Sequence, residues 1–260
     1  MSRGSLLRQV GALARRSVVR TLRQPAMVVP AILFPLILLS INSSGLESAT
    51  LLPGFPTDSY LQFALAITFV QGALFSAMSA GTNVATDIEN GFMNRLALTP
   101  LRRAALMLGQ LAGIVALGSI QAVTFLIVGV VFGAGFETGV AGALVIVVLS
   151  LVISLAFGCI GAFVALRTGS GEAVQGVFPL FFAALFLSSM ALPRNLIETD
   201  WFRTVADWNP VSYMLEAIRS LIFVGWDGEA LLVGFACAAG LALLSLAATS
   251  SALRTRMVRT

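Results

Sequence analysis

A chain of 260 residues that is 58% hydrophobic and 11% charged, with a mean hydropathy of +0.94, carries more apolar surface than one soluble core of this size can hide. All sixteen basic residues are arginine, histidine is absent and the formal net charge is +4. A soluble domain is excluded, and the solvent for most of the chain is lipid.

Residues 5–23 read as a basic amphipathic helix: Leu6, Val10, Leu13 and Ala14 share one face, and Arg8, Arg15, Arg16 and Arg23 cluster opposite. Such a helix is expected to lie in the inner membrane interface with its arginines toward headgroups. The alternative is a flexible basic tail. Gln24-Pro25 then turns the chain into the membrane.

Crossing a hydrocarbon layer of roughly 30 Å takes about 20 apolar residues at about 1.5 Å each. Six runs qualify, near residues 25–43, 59–83, 104–133, 140–166, 174–192 and 230–253. Although a basic segment precedes the first, no small-x-small cleavage site follows it and five more runs do, so an uncleaved span is expected rather than a signal peptide. With the N-terminus inside, thirteen arginines fall on the inner side and only Arg194, Arg203 and Arg219 fall outside. That distribution sets the orientation, with both termini inside. The arginines hug span ends, where anionic lipid lies, so no nucleic-acid partner is expected. Cys159 and Cys237 fall within spans and read as small buried apolar residues.

Between the second and third runs, Thr86-Asp87-Ile88-Glu89 fits a capping box, Ile88, Phe92 and Leu96 follow at helical spacing, and Pro100 is a stop. These predict a separate short helix of about 12 residues across the inner end of the bundle, weakened by Gly91 in its middle. In the second run Thr68, Gln71, Ser79 and Thr82 share a face with Phe75. In the fifth, Phe178, Phe181, Phe182, Leu185, Phe186, Ser188 and Ser189 crowd together. Such stripes suit an amphipathic or aromatic ligand, and they equally suit ordinary interhelical packing. Gly109 with Gly113, and Gly129 with Gly133, allow close helix approach.

The segment 193–229 is too long for a simple loop. Asn209-Pro210 reads as a helix start, Gly225 as its stop, and Val211, Leu215, Ile218 and Ile222 as an apolar stripe. About 15 residues reach only about 22 Å, so a re-entrant or interfacial helix is expected, with Glu216 and Arg219 one turn apart and neutralising each other. The whole chain, 1–260, reads as a single membrane domain.

Absences narrow the function further. Without lysine there is no phosphate-binding loop of the G-x-x-x-x-G-K-S/T kind and no Schiff base; without histidine most zinc and haem sites disappear, and no metal site is expected. The span interiors lack Asp, Glu and Arg, which coupled carriers usually place there, so energy for transport must come from elsewhere.

The run Glu89-Asn90-Gly91, then Leu96, Thr99-Pro100 and Arg102-Arg103, and the run Asn209-Pro210-Val211-Ser212-Tyr213-Met214-Leu215-Glu216-Ala217-Ile218-Arg219 together resemble the two signature segments of type-2 ABC exporter permeases. Phe92 departs from the small polar residue that family places after the glycine. The resemblance covers essentially the whole chain. It implies an all-α integral membrane fold of six spans, with an N-terminal interfacial helix, an inner coupling helix and a short outer re-entrant helix before the last span. It implies a separate nucleotide-binding ATPase docking at Asp87, Glu89, Asn90, Gly91, Phe92, Asn94, Arg95 and Pro100, with ATP and magnesium held by that partner and no cofactor in this chain. It also implies a second permease copy, a bacterial cytoplasmic membrane, and export of an amphipathic drug or antibiotic past Thr68, Gln71, Phe75, Ser79, Phe178, Phe181, Phe182 and Phe186. Asn209, Pro210, Tyr213, Glu216 and Arg219 shape the exit on this reading. A lipid or lipid-linked glycan is the alternative cargo, and a self-contained secondary carrier or scaffold the alternative class.

Overall fold

In the computed structural model, residues 3–97 and 102–258 are described, and every regular element among them is helical. An N-terminal helix α1 (Arg3–Leu22) precedes α2 (Pro25–Gly45), α3 (Tyr60–Glu89), the short α4 (Phe92–Ala97), α5 (Arg103–Val131), α6 (Gly139–Thr168) and α7 (Gly171–Phe186). A compact segment then carries α8 (Asp200–Trp208) and α9 (Pro210–Arg219) before the last helix, α10 (Gly228–Val258). Five of these are long and apolar enough to cross a membrane: α2, α3, α5, α6 and α10.

The third helix is the hub. Of the residues in its most apolar stretch 83% are buried within the subunit, against 17% for α2 and for α10, which lie at the periphery. Lipid tails are as apolar as leucine, so spans associate through close packing rather than through escape from water. The α3–α6 crossing shows how: a Cβ on Gly161 would run into the backbone carbonyl of Ala77. Around it Phe63, Phe125, Ile146, Leu149, Ile153 and Leu185 fill the core.

Polar side chains tie the hub to its neighbours. Gln121 on α5 accepts a hydrogen bond from Ser76 at 3.2 Å and donates to the Ala31 carbonyl of α2 at 3.1 Å. The Ala31 carbonyl is a natural acceptor because Pro35, four residues on, has no N–H for it.

Three expectations change. The fifth run forms a helix of 16 residues that ends at Phe186, about 24 Å long, and residues 187–192 are irregular. It ends early because α9 supplies partners to the backbone that would otherwise continue it. Asn209 donates to the Ala184 carbonyl at 2.6 Å, Ser212 accepts from the Ser189 amide at 3.1 Å, and Arg219 donates to the Ser189 and Met190 carbonyls at 2.7 and 2.8 Å. Irregular backbone at membrane depth needs such internal partners.

The capping box is also absent. Helix α3 continues straight through Thr86–Glu89, and the Thr86 hydroxyl donates to the Thr82 carbonyl at 2.8 Å, one turn back. The chain breaks instead at Asn90-Gly91, where Gly91 takes φ +65, a conformation glycine adopts without a Cβ penalty. Finally, α8 lies within the segment where the sequence reading placed only the helix beginning at Pro210.

Candidate functional site

Polar groups gather at the two ends of the bundle. One is the basic end, where α1, the C-terminal end of α3 and the start of α4 meet. Helix α1 is drawn onto α5 by the first glycine pair: a Cβ on Gly109 would lie 2.6 Å from Leu13 Cβ, and one on Gly113 would overlap the Ser17 hydroxyl. That seating aims Arg16 and Arg20 inward. Arg16 reaches Asp87 through both terminal nitrogens, at 3.1 and 2.7 Å, and Arg20 reaches the same carboxylate at 2.6 Å.

Asp87 was expected to meet a partner subunit; it is buried and held by two arginines of α1. Arg16 is exposed, as Arg8 and Arg15 are, but its guanidinium is turned onto Asp87. Its guanidinium also sits 3.9 Å above the Phe92 ring, the first residue of α4, within the range of a cation–π contact. The hydrogen bonds that Arg16 donates to Asp87 raise its pKa above the ordinary value despite partial burial. Ion pair, ring and glycine break therefore form one joint linking α1, α3 and α4.

The remaining residues read as a docking site lie at the rim of this joint. Asn90, Asn94 and Arg95 are solvent-exposed or nearly so, and Arg95 donates to the Asn90 carbonyl at 3.2 Å. Glu89 is exposed and accepts a long hydrogen bond of 3.4 Å from the Gly171 amide at the start of α7. Pro100, read as the helix stop, and Thr99 lie outside the described residues. Inside the joint a cavity of about 50 Å³ is lined by Ser17, Thr21, Ser79, Asn83 and Gln110 among others, and the Asn83 carbonyl oxygen is buried there without a protein partner.

The far end is built on α9. Asn209 caps it, accepting from the Val211 amide at 3.0 Å, and Pro210 occupies its first turn. Glu216 and Arg219 do not pair with each other. Glu216 takes a two-point contact from Arg194 at 2.7 and 2.6 Å, and Tyr213 stacks under the Arg194 guanidinium at 4.5 Å. Burial disfavours the charge on Arg194, but the Glu216 hydrogen bonds and charge, helped by Tyr213, outweigh it and raise its pKa. Arg219 is buried, donates to the carbonyls of Phe63, Ser189 and Met190, and lies 3.5 Å over the Phe63 ring. Helical spacing alone put Glu216 beside Arg219; the fold offers each a better partner from outside α9. Above them opens a vestibule of about 740 Å³ walled by Arg194, Arg203, Asp207, Glu216 and Arg219.

Of the residues read as a pathway, the structure brings four together. Phe75 meets Phe178 at 5.3 Å, Phe178 meets Phe182 at 5.0 Å, and Phe182 meets Phe186 at 6.3 Å between ring centres. Phe34 of α2, which sequence reasoning passed over, joins Phe75 and Phe182 at 5.7 and 5.9 Å. Phe34 and Phe186 are exposed, so this aromatic seam lies on the subunit's outer surface between α2, α3 and α7. Phe181 faces away from it, against Phe157 of α6 at 5.8 Å. Thr68, Gln71 and Ser79 are buried within the subunit; Thr68 donates to the Leu65 carbonyl of its own helix, and Ser79 lines the cavity of the basic end. The single polar stripe expected on α3 is thus divided between core, cavity and seam.

The sequence model of the family described as ABC-2 type transporter matches residues 8–223. The "Putative transport permease ycf38" of Porphyra purpurea is 22% identical over 215 residues, covering 82% of this chain and 74% of that protein. The "Putative transport permease ycf38" of Cyanophora paradoxa is 25% identical over 219 residues, covering 83% and 74%. The "Probable doxorubicin resistance ABC transporter permease protein DrrC" of Mycobacterium tuberculosis (strain CDC 1551 / Oshkosh) is 27% identical over 157 residues, covering 59% and 56%.

Proposed function

We propose that this chain, which belongs to the ABC-2 type transporter family and is a permease subunit, exports an amphipathic drug or antibiotic by alternating access. Its orientation puts the basic end in the cytoplasm of a bacterial cell, as the distribution of arginines supports. A separate ATPase subunit docks on α4 and the adjoining Glu89, Asn90 and Asn94, and holds the ATP and magnesium. Two permeases meet across the aromatic seam and enclose the pathway between them.

The observation that carries this reading is the inner joint. A glycine break frees α4 from the end of α3, and Arg16 then clamps the first residue of α4 to the interfacial helix and to Asp87. A docked partner that closes on nucleotide displaces α4, and the clamp passes that displacement to α1 and α3. The ligand of another subunit thereby shifts the permease between two packings. The seam of Phe34, Phe75, Phe178, Phe182 and Phe186 offers ring faces to a planar or amphipathic molecule, and a relative whose name records doxorubicin resistance supports a drug as the cargo.

Reconstitution with its ATPase and a panel of amphipathic drugs tests the reading. Drug-stimulated ATP hydrolysis and nucleotide-dependent export are expected. Phe92→Ala or Glu89→Ala keeps membrane insertion but uncouples hydrolysis from export, and Phe182→Ala changes drug selectivity more than abundance. Stimulation by a lipid glycan and by none of the drugs replaces the cargo assignment. Transport by the permease alone on an ion gradient overturns the mechanism.

A further inference from the structure

Helix α8 holds a surface that neither the joint, the seam nor the vestibule uses. At about 100° per residue, Trp201, Val205 and Trp208 fall within about 60° of one another, while Arg203 and Asp207 project from nearly the opposite side. The structure agrees with this wheel. Arg203 and Asp207 wall the vestibule, Ala206 is buried against the protein, and Trp201 and Trp208 are 64% and 85% exposed. Trp226, just before α10, is 59% exposed, so all three tryptophans of the chain stand free at the far end of the bundle.

An indole has an apolar body and one N–H donor, and the boundary between headgroups and acyl chains is the place where both are satisfied. The helix itself, nine residues long, is too short to span and is strongly two-faced, as a helix lying in that boundary is. Leu232, about one turn into α10, is 70% exposed, so the tryptophan level runs on into the lipid-facing side of α10. We infer that α8 lies in the far-end leaflet at the headgroup boundary, anchored by Trp201 and Trp208, and holds one wall of the vestibule at that depth. The lipid surface is its partner, and the vestibule consequently opens at headgroup level rather than into bulk solution.

The tryptophans are their own probes. The full chain is placed in phosphatidylcholine vesicles as two variants: Trp201→Phe with Trp226→Phe, leaving Trp208, and Trp208→Phe with Trp226→Phe, leaving Trp201. Both are expected to emit at short wavelength and to be quenched at least about twofold more strongly by lipids brominated near the headgroup than by lipids brominated near the chain end. Water-like emission with quenching by iodide and none by brominated lipid overturns the assignment. So does emission reached by neither quencher, the result if a second copy covers this face. The measurement needs neither nucleotide nor cargo, so its outcome is separable from that of the transport reading.

Discussion

Replacing Asp87 by asparagine keeps the size of the side chain and removes the charge that two arginines share. In the native joint this carboxylate accepts three hydrogen bonds, at 3.1, 2.7 and 2.6 Å. A hydrogen bond to a charged group contributes about 1.5–3 kcal/mol when desolvated. Here the discount is large, because the Arg16 side chain is 40% exposed and that of Arg20 20%, and water screens what remains. Asparagine also retains one acceptor oxygen. The loss comes to about 2 kcal/mol, a shift of roughly 30-fold between clamped and released joint. With the purified permease and its ATPase in nanodiscs, ATP hydrolysis should persist while drug moved per ATP falls by about tenfold or more. Arg16→Ala should do the same, and the double variant Arg16→Ala with Asp87→Asn should be little worse than either alone. If the two substitutions simply add, with an interaction energy under about 0.5 kcal/mol, or if coupling is untouched, the joint does not transmit motion and the reasoning fails.

Three further substitutions probe other parts of the molecule. Gly91→Ala meets no atom within 4 Å but must hold φ +65, at a strain of about 1 kcal/mol; coupling should weaken with little change in thermal midpoint, and an unchanged drug-to-ATP ratio argues against a hinge there. Gly161→Ala drives a methyl group into the Ala77 backbone and should cost several kcal/mol, read as loss of monodisperse protein in detergent; near-native yield shows that the α3–α6 crossing yields more easily than it looks. Arg219→Lys keeps the charge but cannot serve three carbonyls from a planar fork, so protease cleavage between residues 187 and 208 should rise about tenfold, since each abandoned carbonyl costs about 1–3 kcal/mol; wild-type resistance in the lysine variant refutes the anchoring role.

Much of this architecture is legible in the residues because lipid imposes a simple rule of length and polarity. Five expected spans reappear as long apolar helices, and the cap at Asn209 with Pro210 after it lies where the dipeptide places it. What escaped reading depends on contacts distant in sequence. Arg194 and Glu216 are 22 residues apart, and Arg16 and Asp87 are 71 apart, so helical spacing favoured the nearer pair of Glu216 with Arg219. Thr86 and Glu89 satisfied a capping pattern, but an apolar helix already running from Tyr60 had no reason to stop before them when a glycine two residues later offered a cheaper break. The shortness of α7 is equally invisible locally, since its end is set by hydrogen bonds from a helix 25 residues further on. Helix α8 was missed because its pattern spans barely two turns, although tryptophans at i and i+7 with arginine and aspartate between them were a readable sign of an interfacial helix.

Helix α3 runs unbroken from Tyr60 to Glu89. The Phe63 carbonyl held by Arg219 and the Asp87 carboxylate held by Arg16 belong to the same helix, about 36 Å apart along its axis, with no proline between them. The subunit therefore has a pushrod: a few degrees of tilt imposed at one tip must appear as ångströms of travel at the other, with no relay of loops to absorb it.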